Sequence, residues 1–588
     1  MRIVLLKEIP EDSALRDQWN ALVLRGEQPQ VFYTYEWALA VHRAYAATLR
    51  PLLFLSYDDD HSLCGVAALA GDPAGCRASF LCATTGDYCD FLGPIEQRAT
   101  FVGGVLAELK KLKFDEIIFA NLPADSATAS VLGKGATSRG YRSFARTGYV
   151  CAQVSLSSLE RRGDAKPVLP RKKMLRRFLN VMGRENPVRL DHARSWEAIE
   201  PVLPEFMQAH VARFLVTGRI SNMAREERRV FLAELAKLLS ERGWLDLTRM
   251  VSGTNVFAWN YGFQFQGTWF WYQPTFDSDL EKYSPGFCLL AKLIEEAAEQ
   301  PEFKIVDLGL GAEEYKDRFA NQTREILHVT LKSSAGQHYR GIVRYRVAEL
   351  VRAVPRAEAV ARAAVLRWQR LKEHVGRDGV ATAWVWLVGR LGKLLWLESE
   401  VVFYEWCGAA LPDSKAVRLQ RLDLDDLASA TSQHVDDPST LGYLLRAASR
   451  LREGRAEGFG LVDGEGKFLH FTWTTEFDGF FLSELNAKVD APSVDCVMLF
   501  DCWTPLPARG HGYYALAVDL VAKAVREKGK RPWIFSAASN VASMRGLESA
   551  GFQRRYSLVR QRVLGVQWIQ GKTPKSDARP SRGVSAHV

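Results

Sequence analysis

Val497-Met-Leu-Phe-Asp-Cys-Trp-Thr-Pro505, followed by Arg509-Gly-His-Gly-Tyr-Tyr-Ala-Leu516, is the stretch on which the fold can be decided. The first part reads as an apolar strand, the second as a glycine-containing turn that opens a helix over 514–528. A further strand, Pro532-Trp-Ile-Phe-Ser536, comes next. Backbone N–H groups at a helix start have no intrahelical acceptor, and the helix dipole adds to their pull on an anion. Gly510 and Gly512 carry no side chain, so a pyrophosphate could approach closely. Alone, the turn is a generic anion cradle.

Its context is more specific. Asn540-Val-Ala-Ser543 and Glu548-Ser-Ala-Gly551-Phe552 follow in order, and over residues 417–563 the chain resembles the GNAT acyltransferase superfamily. That family's signature, Arg/Gln-x-x-Gly-x-Gly/Ala, is matched by Arg509 and Gly512, and its later motif by Asn540, Glu548, Gly551 and Phe552. The resemblance implies acetyl-CoA or another acyl-CoA as co-substrate and no metal. It assigns cofactor binding to Arg509, Gly510, His511, Gly512, Tyr513, Tyr514, Asn540 and Ser543. It also implies that pantetheine adds to an opened sheet edge like a strand, and that an amine attacks the thioester directly while a base and an acid move protons. Two positions depart. Tyr514 stands where the family has Gly or Ala and is expected to crowd the pyrophosphate. Leu547 stands where the family often has a tyrosine acid, which leaves Tyr556 or Tyr513 as candidate proton donors.

Upstream, a hairpin, a helix and a strand occur in that order twice before residue 335. Phe32-Tyr-Thr-Tyr-Glu-Trp37, Gly86-Asp-Tyr-Cys-Asp90, Tyr283-Ser-Pro-Gly286 and Asp307-Leu-Gly-Leu-Gly-Ala-Glu-Glu-Tyr-Lys316 lie in this region. On these motifs it resembles the CelD/FemAB-like acetyltransferases associated with cellulose and exopolysaccharide biosynthesis, which are themselves two GNAT-like halves. Ser284 and Gly286 then stand where a phosphate-binding turn would open a helix, or Ser284 is a plain N-cap. Lys316 would neutralise developing charge or a substrate phosphate, or is a solvated lysine at a strand end. Asp307 would orient a nucleophile, or caps its loop.

The expected fold class is therefore α+β, in α/β layers, with three GNAT-like mixed-sheet modules. Two form a CelD/FemAB-like unit (1–165 and 166–335), a basic helical linker covers 336–400, the third module covers 401–570, and 571–588 is a disordered tail. In the linker, Val360, Ala364, Trp368, Leu371 and Val375 share one face bordered by Arg356, Arg367 and Lys372. Such a helix packs between domains or makes a peripheral membrane contact through 338–397. The run 380–397 is broken by Arg390 and Lys393 and reads as a buried or interfacial helix, not a span.

Composition sets outer limits. At 588 residues, 47% hydrophobic and 25% charged, the chain has material for several cores. A net charge of +9 favours anionic partners. Nine scattered cysteines, never spaced as CxxC, argue against a zinc site or disulfide framework and for a reducing, cytoplasmic setting, at most peripheral at the inner face of the membrane. The N-terminus, with only four apolar residues before Lys7, is not expected to be a secretory signal. The acceptor is expected to be a small molecule, amino-sugar or saccharide precursor. A non-catalytic scaffold in polysaccharide export and an aminoacyl-tRNA-dependent transferase are the alternatives. Nucleic acid is otherwise not expected, because the basic run Arg171–Arg177 reads as a solvated face.

Overall fold

A computed structural model gives the architecture, and it describes residues 2–159, 161–162, 166–167, 169, 172–311, 313–352, 396–408, 416–563 and 566–572. The chain forms two compact units, one around a 12-stranded sheet and one around an 8-stranded sheet.

The first sheet takes β1 (Arg2–Leu6), β2 (Arg50–Tyr57), β3 (Leu63–Gly71), β4 (Arg77–Phe80), β5 (Glu116–Pro123) and β6 (Arg142–Ser155) from the first half. A short pair, β7 (Arg161–Arg162) and β8 (Lys166–Pro167), stands apart from it. The second half adds β9 (Arg189–Ala193), β10 (Leu245–Ser252), β11 (Asn255–Phe265), β12 (Thr268–Phe276), β13 (Ile305–Asp307) and β14 (Gln322–Lys332). The second unit holds β15 (Trp396–Trp406), β16 (Val417–Arg421), β17 (Glu457–Asp463) and β18 (Phe468–Glu476). The small hairpin β19 (Phe480–Leu482) and β20 (Ala487–Val489) precedes β21 (Cys496–Trp503), β22 (Arg531–Ala537), β23 (Phe552–Val563) and β24 (Val566–Lys572). β15 thus begins inside the segment read from sequence as linker, and β24 reaches two residues into the segment read as tail. Of these two segments, 353–395 and 573–588 lie outside the described residues.

One strand order recurs three times. It runs β1-β2-β3-β4-β5-β14-β6 in the first half, β9-β10-β11-β12-β13-β6-β14 in the second, and β16-β17-β18-β21-β22-β15-β23 in the second unit. Every contact is antiparallel except the fourth step, where β4 and β5, β12 and β13, and β21 and β22 pair in parallel. Parallel neighbours need a crossover, supplied by helices α1 (Ile95–Lys111), α2 (Pro285–Glu299) and, after the quoted glycine turn, α4 (Tyr513–Glu527). α3 (Ala335–Arg352) follows β14, and α5 (Val541–Ser549) follows β22.

The sixth place in each order is filled by a strand from elsewhere. β14 of the second half inserts between β5 and β6, and β6 of the first half pairs with β13. The two halves therefore share β6 and β14 and form one continuous sheet. In the second unit β15 is that inserted strand, and alternate residues face two cores. Val402 and Tyr404 pack towards α4 and α5, Val401 and Phe403 towards the β19–β20 side.

α2 is tied to its sheet by charge. His192 of β9 places Nδ1 2.9 Å from Asp246 and Nε2 3.2 Å from Glu296 of α2, while Arg194 also reaches Asp246 at 3.0 Å. Burial pulls the imidazole pKa down, but the hydrogen bonds and charges of the two carboxylates outweigh it and raise it to about 9. Because the folded value lies above the unfolded one, this stabilisation is fully present below pH ~6.5 and is lost as pH rises through about 9. His192→Gln should flatten that part of the pH–stability curve in urea unfolding at pH 6 and 9.5. Equal losses in both proteins would show that the cluster is not titrating.

Candidate active site

A parallel pair that parts leaves backbone groups facing a wedge-shaped gap, and the three gaps have different contents. In the first half the pairing covers Arg77↔Glu116 to Ser79↔Ile118, and β5 runs on towards Pro123 without β4, paired only on its other side with β14. Asn121, with a left-handed φ of 60°, donates from Nδ2 to Gly86 O (2.8 Å) and Ala83 O (3.1 Å). The Cys89 amide donates to Asn121 O at 2.8 Å. The chain's own loop after β4 thus takes up the hydrogen-bonding groups of this gap.

In the second half the pairing stops at Phe270↔Asp307, and a buried polar seam gathers there. Asp307 is 1% exposed; its Oδ2 accepts from Tyr88 Oη (2.7 Å) and Gln153 Nε2 (2.8 Å), and its Oδ1 accepts from the Gly309 amide (2.8 Å). Burial raises its pKa, with those three bonds acting against it. Asp87 reaches in from the first half and accepts from the Leu310 amide. It lies so close that a Cβ at Gly309 would sit 2.5 Å from its Oδ2. Burial first, then the Asp307 charge, lift the Asp87 carboxyl to about 7, while Lys316 and Arg228 act in the opposite sense. Although crowded by protein, Asp87 keeps part of its surface exposed. Lys316, 4% exposed, donates to Leu310 O at 2.7 Å and pairs with Glu313 at 2.8 Å.

Beside the seam lies a small cavity of about 20 Å³. Arg324 lies over the Tyr88 ring at 5.0 Å and lines this pocket with Tyr33, Asp90, Glu27 and Arg98. Arg98 is 4% exposed and holds Thr128 and the Gly93 carbonyl, yet its Nε has no hydrogen-bond partner.

α2 opens nearby: Phe287 in its first turn packs on Phe319 at 4.6 Å. Ser284 precedes it with φ 47°, a left-handed conformation, and its side chain makes no capping bond, unlike a plain N-cap. The first helical bond runs from Cys288 N to Ser284 O, so the Gly286 and Phe287 amides have no acceptor within the helix.

The quoted turn in the second unit has the same backbone form. β21 and β22 pair from Cys496↔Arg531 to Leu499↔Ile534 and then part. Gly510 and Gly512 have φ of 82° and 79°, Gly512 is the left-handed N-cap of α4, and no side chain caps the helix. A Cβ on either glycine would meet nothing within 4 Å, so the cradle is open and fits a pyrophosphate. Arg509 bonds Thr504 O at 3.0 Å and lies over Trp503, while His511 Nδ1 bonds Arg509 O at 2.9 Å and stacks beside Tyr513.

Tyr514 does not point over those glycines. Its ring lies on Gly546, where a Cβ would meet it at 2.7 Å, and its hydroxyl shares a 2.8 Å hydrogen bond with Ser543. Asn540 caps α5 by accepting from the Ser543 amide at 3.1 Å. Leu547 is fully buried. Tyr556 lies on the opposite face of the sheet from α4, stacked on Phe403 at 4.7 Å, so the structure does not bring it together with the turn. Tyr404 is on the α4 face; it pairs with Ile534 where the strands part, and its buried hydroxyl has no hydrogen-bond partner.

Residues 170–317 match the acetyltransferase (GNAT) domain family. This segment ends inside the seam, one residue past Lys316. Solved structures similar to the chain include FemX (10% identity, TM-score 0.40, 58% of this chain and 100% of that one) and L-PGS from Bacillus licheniformis (12%, 0.36, 56% and 96%). A tandem GNAT protein from the clavulanic acid biosynthesis pathway is another (13%, 0.35, 57% and 98%). No curated protein matches the chain. Among the described residues, no group of three or more His, Cys, Asp or Glu side chains could hold a metal, and no helix is long and apolar enough to cross a membrane.

Sequence reading named Asp307 and Lys316 but missed Asp87, Tyr88, Gln153 and Tyr404. Asp87 and Tyr88 stood in the quoted Gly86–Asp90 motif, which carried the only signal available for them. The raised Asp87 pKa has a measurable sign. Its folded value exceeds the unfolded one, so the carboxyl adds stability at low pH that is lost as pH rises through about 7. Asp87→Asn should therefore lose less thermal stability than the parent between pH 5.5 and 8.5 in calorimetry; parallel curves would place Asp87 in contact with bulk water.

Proposed function

We propose that the protein is an acyl-CoA-dependent acyltransferase, using acetyl-CoA or another acyl-CoA on an amine or hydroxyl of a small molecule, amino-sugar or exopolysaccharide precursor. The observation that supports this best is a geometry made twice, at α2 and α4. In each case a parallel pair parts and a helix follows whose left-handed cap leaves its first amides without a side-chain partner. That arrangement suits a pyrophosphate at the helix start and a thioester arm along the open strand edge.

The seam offers the groups that transfer needs. Asp87, with a pKa of about 7, can take a proton near neutrality. Asp307 holds Tyr88, and Lys316 places an ammonium beside the same loop, where it can stabilise developing negative charge. In the second unit Tyr404 is the proton donor in place of Leu547, delivered by the inserted strand instead of by α5. The fully buried Leu547 also favours a second reading for this module alone, a CoA-binding scaffold without turnover.

Calorimetric titration of the full chain with acetyl-CoA, coupled to mass spectrometry with amino-sugar acceptors, tests this. Arg509→Glu should weaken acetyl-CoA binding if the α4 cradle is used, and Asp87→Asn should slow transfer by about 10²–10⁴-fold. Tyr404→Phe should lower kcat with unchanged acetyl-CoA affinity; no change in kcat would leave the second unit as a scaffold. Failure of the parent protein to bind any acyl-CoA sinks the whole reading.

A further inference from the structure

α3 packs one face and leaves another bare. Tyr345 is held against Phe144 of β6 at 5.5 Å and beneath the Arg146 guanidinium at 5.1 Å, which fixes the inward side. Outward, Tyr339, Val343, Val347 and Leu350 are 62%, 60%, 53% and 71% exposed. With 3.6 residues per turn, these four fall within an arc of about 80°. Arg346, paired with Glu349 at 3.1 Å, borders one edge of the arc, and Arg340 and Arg344 the other. Single exposed apolar side chains are ordinary, but four in one stripe with an arginine border are a patterned surface.

The shape and charge of the stripe select its occupant. One helical arc of four side chains is far smaller than the ~800 Å² per partner of a stable protein interface. A second copy docked on the same stripe would also set arginines against arginines. A bilayer makes neither demand. Its acyl boundary accepts a narrow apolar stripe lying in the plane, and its anionic headgroups attract the flanking guanidinium groups, whose stems can reach up from the stripe.

We propose that α3 is an interfacial helix that docks the protein on an anionic lipid surface, inserting Tyr339, Val343, Val347 and Leu350 while Arg340, Arg344 and Arg346 meet lipid phosphates. The inference is independent of the acyltransferase reading, because it uses no residue of either cleft. It narrows the membrane contact expected over 338–397 to a described helix.

Flotation of the full chain with phosphatidylcholine vesicles, with and without 30% phosphatidylglycerol, tests it, together with the double variant Val343→Glu/Val347→Glu and the triple variant Arg340→Glu/Arg344→Glu/Arg346→Glu. All five positions are exposed, and an unchanged thermal transition checks that folding is intact. The parent should float with the anionic vesicles and not with the neutral ones, and less at 0.5 M salt. Each variant should bind at least ten-fold more weakly. The proposal is overturned if the parent ignores anionic vesicles, or if both variants float as well as the parent, which would put any lipid contact elsewhere. It is equally overturned if the parent sediments as a dimer that the double variant breaks while neither binds vesicles; the stripe is then an interface between copies.

Discussion

Everything in the three modules depends on a strand that a module does not supply from its own place in the order. β5 and β6 never bond to each other, because β14 lies between them. β13 would end the second half with an unpaired edge if β6 did not reach it. Buried backbone donors and acceptors must be paired, so neither half of the first unit can close its sheet alone. The exchange also builds the site. Gln153 of β6 donates to its own register partner Asp307, and Gln322 of β14 donates to Gln153 Oε1 at 2.9 Å. Residues from both halves can meet at Asp307 only because the two sheets are one.

With that frame fixed, the three gaps differ in what fills them. The first is taken by the loop after β4, whose hydrogen bonds to Asn121 leave no free strand edge for a ligand to extend. Its further effect is to deliver Asp87 and Tyr88 across to the second gap. The first half thus gives up its own cleft and furnishes the neighbouring one. The third gap has no such donor, and what faces it is made within the second unit by Tyr404, Tyr514 and Ser543.

Much of this was legible in the sequence. The hairpin, helix and strand of each module show their periods plainly, and the glycine turn opens a helix beyond a parting parallel pair, as its residues suggested. The strands that join modules were not legible. β14 alternates like any strand, but nothing in Gln322–Lys332 says that its partners are Glu116–Pro123 and Arg142–Ser155. β15 begins where the apolar run before Trp396 still reads as helix, and short apolar runs do not tell helix from strand by period alone. Tyr514 was read as an obstacle because only its position was visible. Gly546 on α5 gives its ring somewhere to lie, and Ser543 gives its hydroxyl a partner. Asp87 could not be assigned a role without knowing that Gly309 of the second half would face it.

The turn before α2 carries the most pointed argument about where function resides. Gly512 adopts its left-handed φ at no steric cost, but Ser284 holds φ 47° with a Cβ, at a cost of roughly 1–2 kcal/mol. The hydroxyl does not recover that cost by capping the helix, since no such bond is made. Pro285 then fixes the first helical residue and removes a donor that would have had no partner in any case. The outcome is a helix start with its next amides bare, reached against the local preference of the serine. Strain of this kind persists where the surroundings impose it, and it gathers at binding and catalytic sites. It is at the second gap that the strained turn stands in the same module as Asp307 and Lys316, with Asp87 reaching in from the first half.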